Sequence, residues 1–382
     1  MNQNILTTSV DTSSENGIRT EEMLLNVGPQ HPSTHGVFRL VVKIDGETIK
    51  EAIPVMGYLH RGTEKLAENL NYTQIIPYTD RMDYVSAMTN NYVLCHAVET
   101  MMGLEIPERA QFLRLIAMEL NRVASHLVWW GTYLLDIGAM GPFLYAFRDR
   151  EMILDLFNEL CGARMTFNYM RIGGVKWDAP PGWVDKAKEF VQYMKKELNN
   201  YHQLVSGNEI FISRIKGIGK FDTSTALDYS LSGVMLRATG VKWDLRKDEP
   251  YCIYDRFDFD VPTATEGDCM ARYQVRMAEI EQSLRILEQA LEQFPSEGEV
   301  IGKVPRVIRP PAGETYVRIE SPRGEIGCYI ASQGKDKPWR LKFRRPSFTN
   351  LQILPTLLQG ESLANMIVIL GSIDIVLGEV DC

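Results

Sequence analysis

The segment 107–135 narrows the fold more than any other part of the chain. In ERAQFLRLIAMELNRVASHLVWWGTYLLD, apolar residues return at steps of three and four over about seven helical turns. A helix that long has more to do than shield one face of a domain from solvent, and it reads as the core helix of a bundle. Helical periodicity also marks 62–92, 147–157, 184–204 and 271–293, the last with Glu, Arg and Gln alternating on what should be its wet face. Glycine-rich breaks, IGGV and KGIGK, separate these segments.

The two flanks of the bundle differ in character. Residues 1–20 are polar, rich in Ser, Thr and Asn, and without periodicity, so they read as a disordered tail with no chemistry. Strand-like runs follow (MLLNV, VFRLVVKI, GETIKEAIPV), flanking a histidine loop and an Asp45-Gly46 turn, which is a hairpin signature. Beyond 294 the composition shifts to Pro, Gly and short β-type runs (TYVRIE, IGCYIA, WRLKF) before a final helix and tail. The expected class is α+β: a tail over 1–20, a small N-terminal β domain over 21–60, a long-helix bundle over 61–294 and a C-terminal β-containing cap over 295–382.

At 382 residues the chain should form one large or two intimately packed domains. It is 45% hydrophobic with a net charge of -8, which leaves no electrostatic footprint for nucleic acid. The basic stretch RLKFRRPSF, 340–348, reads as a solvated or partner-facing surface rather than a polyphosphate site. Six scattered cysteines with no C-x-x-C pair point to a reducing compartment and free thiols, and to no iron–sulfur cluster on this chain itself. No apolar run reaches the ~20 residues that span a bilayer, so a soluble chain able to sit on a membrane partner is expected. Neither a phosphate-cradling loop nor G-x-G-x-x-G is present, so NAD(H) is not expected to bind here, and G-x-S-x-G and H-E-x-x-H are missing as well.

Three places combine residues that carry chemistry. The loop NVGPQHPSTHG, 26–36, holds His31 and His35, two of six histidines. Imidazole titrates near neutrality, which suggests proton handling, although a solvated turn accounts equally for Gly28, Pro29, Pro32 and Gly36. The string YTDRMDYVS crowds Tyr78, Asp80, Arg81, Asp83, Tyr84 and Ser86 ahead of an apolar helix, where Tyr84 also fits a packed core tyrosine. In LLDIGAMGPF, Asp136 ends the long helix, where a carboxylate opposes the macrodipole by roughly 0.3–1 kcal/mol. A histidine or arginine partner, structural or functional, is therefore expected for it.

Taken together, NVGPQHPSTHGV, GYLHRGTEK, YTDRMDYVS, ELNRVASHL, LLDIGAMGPF, YAFRDREMI, NYMRIGGV, LRATGV, DLRK, ESPRGEIG, RRPSFTNLQ and SIDIVLGEVD resemble, in order from about 22 to 382, the D-subunit family of NADH:quinone oxidoreductase (respiratory complex I). That family is the counterpart of the [NiFe] hydrogenase large subunit, whose fold the resemblance implies. A nickel site of the hydrogenase kind takes thiolates from R-x-C-x-x-C and D-P-C-x-x-C, soft ligands that nickel favours. Here Asp83 and Ser86 stand at the first pair of cysteine positions, Val376 and Glu379 at the second. Without sulfur, hydrogenase chemistry is excluded, and the resemblance places a quinone headgroup where metal once lay.

Carried over residue by residue, the resemblance implies that His35 and Tyr84 hold the headgroup and that Asp136 partners His35. Tyr84, with a reference pKa near ~10, would donate one proton and a charged His35 the other. Arg81 would lie beside the terminal 4Fe-4S cluster of a separate small subunit, unless it is merely paired with Asp80 or Asp83. Thr166 stands where the family often has a histidine near that cluster, so the cluster potential should depend only weakly on pH. His31 is expected to hold the turn. The implied partners are the small, cluster-bearing B subunit, subunits C and I, and membrane subunits H and A, at the cytoplasmic face of a bacterial membrane. A scaffold that joins the peripheral and membrane arms without catalytic residues is the competing reading, and a membrane-bound hydrogenase subunit is disfavoured by the missing thiolates.

Overall fold

Alternation in RLVVKID sends Leu40, Val42 and Ile44 to one buried face, and a β-bulge where the register shifts at Lys43/Ile44 brings Ile49 and Ala52 of TIKEAIPV, three residues apart, to that same face. A computed structural model of the chain describes residues 11–13, 19–30 and 36–382. Strands β1 (Asp11–Ser13), β2 (Arg19–Val27), β3 (Arg39–Asp45) and β4 (Thr48–Val55) form an antiparallel sheet in sequence order. The β3–β4 turn is the expected Asp45-Gly46 hairpin, with Gly46 at φ 61°. The sheet reaches back to Asp11, so part of the segment read as a tail is a paired strand: its backbone groups find partners in β2 despite its polar side chains.

The helical body follows: α1 (Thr63–Ala67), α2 (Tyr72–Thr79), α3 (Ala87–Met102), α4 (Glu108–Asp136), α5 (Met140–Cys161) and, after the two-residue strands β5 (Met170–Arg171) and β6 (Gly174–Val175), α6 (Trp183–Tyr201). Short helices α7 (Glu209–Ile215), α8 (Thr223–Asp228), α9 (Val234–Arg237) and α10 (Leu245–Asp248) lead to α11 (Cys269–Glu292). The helical pattern over 62–92 is broken between α2 and α3. There the Asp83 carboxylate accepts the backbone N–H groups of Val85 and Ser86, a local turn that competes with helix.

Helix α4 is the spine, buried on all sides between Phe112 and Leu127 and packed against α5, α11 and α14. Its neighbour α11 departs from expectation. Arg272, Arg276 and Glu279, assigned above to a wet face, are at most 1% exposed, because each finds buried partners.

The C-terminal cap is the antiparallel sheet β7 (Gly313–Ser321), β8 (Gly324–Ser332) and β9 (Arg340–Arg344), followed by α12 (Pro346–Leu351), α13 (Leu354–Leu358), α14 (Leu363–Ile373) and α15 (Leu377–Val380). The basic stretch 340–348 keeps a solvated face, with the Arg340 and Lys342 side chains 42% and 52% exposed, while pairing within the chain: Arg340 with Glu68 (2.8 Å), Lys342 with Glu64 (2.7 Å) and Arg344 with Glu325 (3.4 Å). Nor do the last residues hang free. The Asp381 carboxylate accepts the backbone N–H groups of Gly57 (2.7 Å) and Leu59 (2.8 Å), clamping the exit from the N-terminal sheet to the end of the cap.

Candidate functional site

The turn between α2 and α3 and the segment from the end of α14 through α15 meet inside the molecule. Gly378 is wedged against that turn: a β-carbon placed on it would lie 2.6 Å from the Met82 carbonyl, 2.9 Å from that of Arg81 and 3.3 Å from the Tyr84 ring. Thus the two sequence-distant motifs, 81–86 and 374–379, face each other as the resemblance requires.

Arg323, in the β7–β8 turn, is the electrostatic centre of this meeting. It donates to Asp83 Oδ2 (2.6 Å), Ser125 Oγ (3.0 Å) and Asp374 Oδ1 (3.4 Å). Arg276 of α11 supports Asp374 from behind, with its Nε 3.8 Å from Oδ2 and its other nitrogens on the carbonyls of Ser372 (2.7 Å) and Ile373 (3.0 Å). Glu379 is fully buried, and its Oε2 accepts from the backbone and hydroxyl of Ser347. Burial, reinforced by the charge of Asp83, pushes the Glu379 carboxyl up to about 7. Burial also raises Asp83, against the pull of Arg323. Tyr84 is half-buried, and burial followed by the Asp83 charge lifts its phenol above the ordinary value, so it is protonated at neutral pH.

Asp136, the last residue of α4, comes to the adjoining part of α14. A β-carbon on Gly371 would sit 3.4 Å from its Oδ2, and Trp129 Nε1 fixes the Gly371 carbonyl at 2.8 Å. His31 and His35 lie outside the described residues. Gly36, the residue next to His35, does not: its α-carbon packs against Leu377, where an added β-carbon would meet Cδ1 at 3.1 Å. The end of the histidine loop and the Tyr84 ring therefore rest on consecutive residues, Leu377 and Gly378.

Arg81 points the other way. Its side chain is 47% exposed, bonded to the Pro77 carbonyl (2.7 Å) and 3.5 Å from Asp80, whereas Asp83 belongs to Arg323. Asp80 also accepts the backbone N–H of Asn168 (3.2 Å), which draws the loop of half-buried Thr166 to the same side of the molecule as Arg81. Burial pushes the Asp80 carboxyl up to about 6. Among the described residues no group of three His, Cys, Asp or Glu is arranged to hold a metal ion.

Sequence reasoning missed Arg323, Arg276, Asp374 as a paired carboxylate, and Ser347. One signal was available: Arg272, Arg276 and Glu279 fall at i, i+4 and i+7 on one face of an otherwise apolar helix, a face that must be satisfied if buried. Arg323 and Ser347 lay inside ESPRGEIG and RRPSFTNLQ, whose pattern carries no chemistry by itself.

A helical core in which segments 81–86 and 374–379 meet, with Asp83, Ser86, Val376 and Glu379 at the four positions that would be thiolates, fits a protein of the hydrogenase large-subunit type. Comparison with known proteins narrows this. A family profile described as "Respiratory-chain NADH dehydrogenase, 49 Kd subunit" matches residues 136–310 and 302–382. The chain is 76% identical over 364 residues to the D subunit of the NADH-quinone oxidoreductase of Geobacillus kaustophilus, covering 95% of this chain and 99% of that one. It is likewise 76% identical to the D subunit of Geobacillus thermodenitrificans and 75% to that of Bacillus anthracis, over 95% of this chain and all of each relative. The chain belongs to the D-subunit family of NADH-quinone oxidoreductase, and so is a subunit of that enzyme complex with a hydrogenase large-subunit-like fold. Among the described residues no helix is long and apolar enough to cross a membrane.

Proposed function

We propose that this subunit forms, with the small B subunit that carries the cluster, the pocket in which quinone takes up two electrons and two protons. The observation that carries the reading is the convergence on α15: the Tyr84 ring lies against Gly378 and the residue after His35 against Leu377. A small ring held between phenol and imidazole would have a proton donor for each carbonyl oxygen. Tyr84 suits the first role, since burial keeps it protonated until negative charge builds beside it. His35, with Asp136 as its carboxylate partner, suits the second, and loss of the imidazolium charge next to Asp136 is the electrostatic change that would be passed on toward proton pumping.

On the face of Arg81 and Thr166, an exposed guanidinium would stabilise the reduced 4Fe-4S cluster of the small subunit. Threonine there cannot titrate, so the cluster potential would vary weakly with pH. Subunits C and I, with membrane subunits H and A admitting the quinone tail from the cytoplasmic face, complete the proposed surroundings. NADH is consumed elsewhere in the complex.

Tyr84→Phe and His35→Ala in the assembled complex test the reading. The expected outcome is loss of quinone reduction while the clusters are still reduced by NADH. Loss of activity only through failed assembly would favour the scaffold reading, and retained turnover in both variants would refute a catalytic pocket here.

A further inference from the structure

The cluster around Arg323 contains more carboxyls than cations. Facing one another across the turn 80–86, the end of α14 and α15 are Asp83, Asp374 and Glu379, against Arg276 and Arg323, while Asp381 and Arg345 just beyond are taken up by main-chain groups. Three carboxyls confront two guanidiniums in a site where none of the carboxyls is more than 7% exposed. A surplus buried anion is costly enough that one carboxyl holds a proton instead.

The contacts identify which one. Asp83 has Arg323 and two backbone N–H donors. Asp374 lies between Arg323 and Arg276. Asp381 accepts the backbone N–H groups of Gly57 and Leu59. Arg345 is occupied by main-chain carbonyls, reaching those of Val380 (3.2 Å) and Cys382 (2.7 Å). Glu379, like Asp381, has only neutral donors, but whereas each Asp381 oxygen takes a backbone N–H, both Glu379 bonds come from Ser347 to Oε2, and among the described residues its Oε1 has no hydrogen-bond partner. Glu379 is also one residue from Gly378, on which the Tyr84 ring lies, and the Arg323 guanidinium is acted on by Asp83, Asp374, Glu379 and Tyr84 alike.

We propose that Glu379 stores a proton in the resting site and returns it, across the Arg323–Asp83 cluster, to the Tyr84 oxygen after that phenol has protonated the reduced quinone. This rests on the quinone reading given above. The balance is simple: electrons come from NADH through the complex, one proton leaves the Tyr84 O–H for the ring, and the Glu379 carboxyl becomes a carboxylate as the phenolate regains its hydrogen. The carboxylate is then reprotonated before the next cycle. Glu379 touches no substrate and acts only through its neighbours. Its raised affinity for protons, from burial and the Asp83 charge, fits that task at neutral pH.

The test uses the purified complex with a short-chain quinone, comparing wild type, Glu379→Gln, Glu379→Asp and Tyr84→Phe in single-turnover and steady-state measurements. Glu379→Gln keeps the shape but cannot release a proton. It should reduce the first quinone at the wild-type rate and then run about tenfold slower, without the wild-type fall in turnover as pH rises through neutrality, and Glu379→Asp should restore later turnovers. Equal slowing of first and later turnovers would show a structural role and overturn the proposal, as would a wild-type steady state and pH profile in Glu379→Gln. Tyr84→Phe keeps the two readings apart: loss of even its first turnover upholds the pocket, so an unaltered Glu379→Gln would then sink this inference alone, whereas a normal first turnover in Tyr84→Phe would sink the pocket itself. If Glu379→Gln does not assemble, infrared difference spectra on reduction decide. A protonated-carboxyl band should disappear in wild type and be shifted in Glu379→Asp, and no such band would refute the store.

Discussion

Gly378→Ala isolates the placement of Tyr84 from its chemistry. Gly378 lies in α15 with ordinary helical backbone, so alanine brings no conformational penalty of its own. The added methyl would, however, sit 2.6 Å from the Met82 carbonyl and 3.3 Å from the Tyr84 ring. The first distance falls short of van der Waals contact by about 0.8 Å, and its target is backbone, which cannot rotate aside. Either α15 or the turn 80–86 must therefore move by most of that amount. Overpacking of this kind costs about 1–3 kcal/mol, below the total stability of roughly 5–15 kcal/mol for a typical domain, so the protein should still fold and assemble. A displacement near 1 Å at a reacting group costs on the order of 10²-fold in rate. Quinone reduction by the assembled complex should therefore fall about ten- to a hundredfold in kcat, with NADH reduction of the clusters unchanged. Gly207→Ala, where a β-carbon meets nothing within 4 Å, should leave turnover intact. Wild-type turnover in Gly378→Ala would refute the argument that α15 sets the position of Tyr84.

Two further perturbations read the ionic interior. Arg323→Met strands the Asp83 carboxylate, 1% exposed, without its cation, and should destabilise the fold by about 3–5 kcal/mol, seen as a lower melting temperature of the complex or loss of this chain from it. Asp80 holds its proton up to about pH 6 in the folded chain, against an ordinary value near 4. A raised carboxyl stabilises the fold fully only below the unfolded value and loses that contribution as pH climbs through the folded one, here about 3 kcal/mol between pH 4 and 6. Asp80→Asn should remove that fall, measured as melting temperature against pH, and an unchanged slope would show that another group causes it.

How much of this was legible in the sequence depends on the kind of force involved. Periodicity exposes apolar burial, so α4, the β3–β4 hairpin and the strands β7–β9 could be read directly. Residues 80–86 looked helical because their apolar spacing is right; the Asx-type turn at Asp83 that breaks the helix leaves no periodic mark. Charged residues on α11 were assigned to water because pattern reasoning treats charge as exposed, and the compensating partners of Arg276 lie on α14 and at Asp374, about a hundred positions away. Arg81, Asp83, Tyr84 and Glu379 were reachable through the family resemblance, while Arg323 and Ser347 needed coordinates, since nothing local tells an arginine in a strand turn that it will meet three distant acceptors.

The buried charges also explain how an apolar spine can hold the polar cluster in one register. Hydrophobic contact along α4 is non-directional, and a helix packed only by Leu, Ile and Val can slide or rotate at small cost. The polar side chains of α4 remove that freedom one neighbour at a time. Arg114 reaches the Gly174 carbonyl between the bundle and β6 (3.0 Å), Glu119 accepts from Tyr254 (2.6 Å), Arg122 donates to the Glu320 carbonyl in β7 (2.7 Å), Ser125 accepts from Arg323 (3.0 Å), and His126 meets Glu279 of α11 (3.0 Å). Each bond has a direction and a buried partner that would be left unsatisfied by a shift, so a one-residue slip of α4 would break all of them together. Trp129 then carries the same register to α14 through the Gly371 carbonyl, and two turns further on the helix ends at Asp136. The position of Asp136 relative to α14 and α15 is thereby inherited from bonds made up to about six turns away. A conservative change at one of those distant bonds would be felt as a displacement of the Asp136 carboxylate, without touching any residue of the proposed quinone pocket.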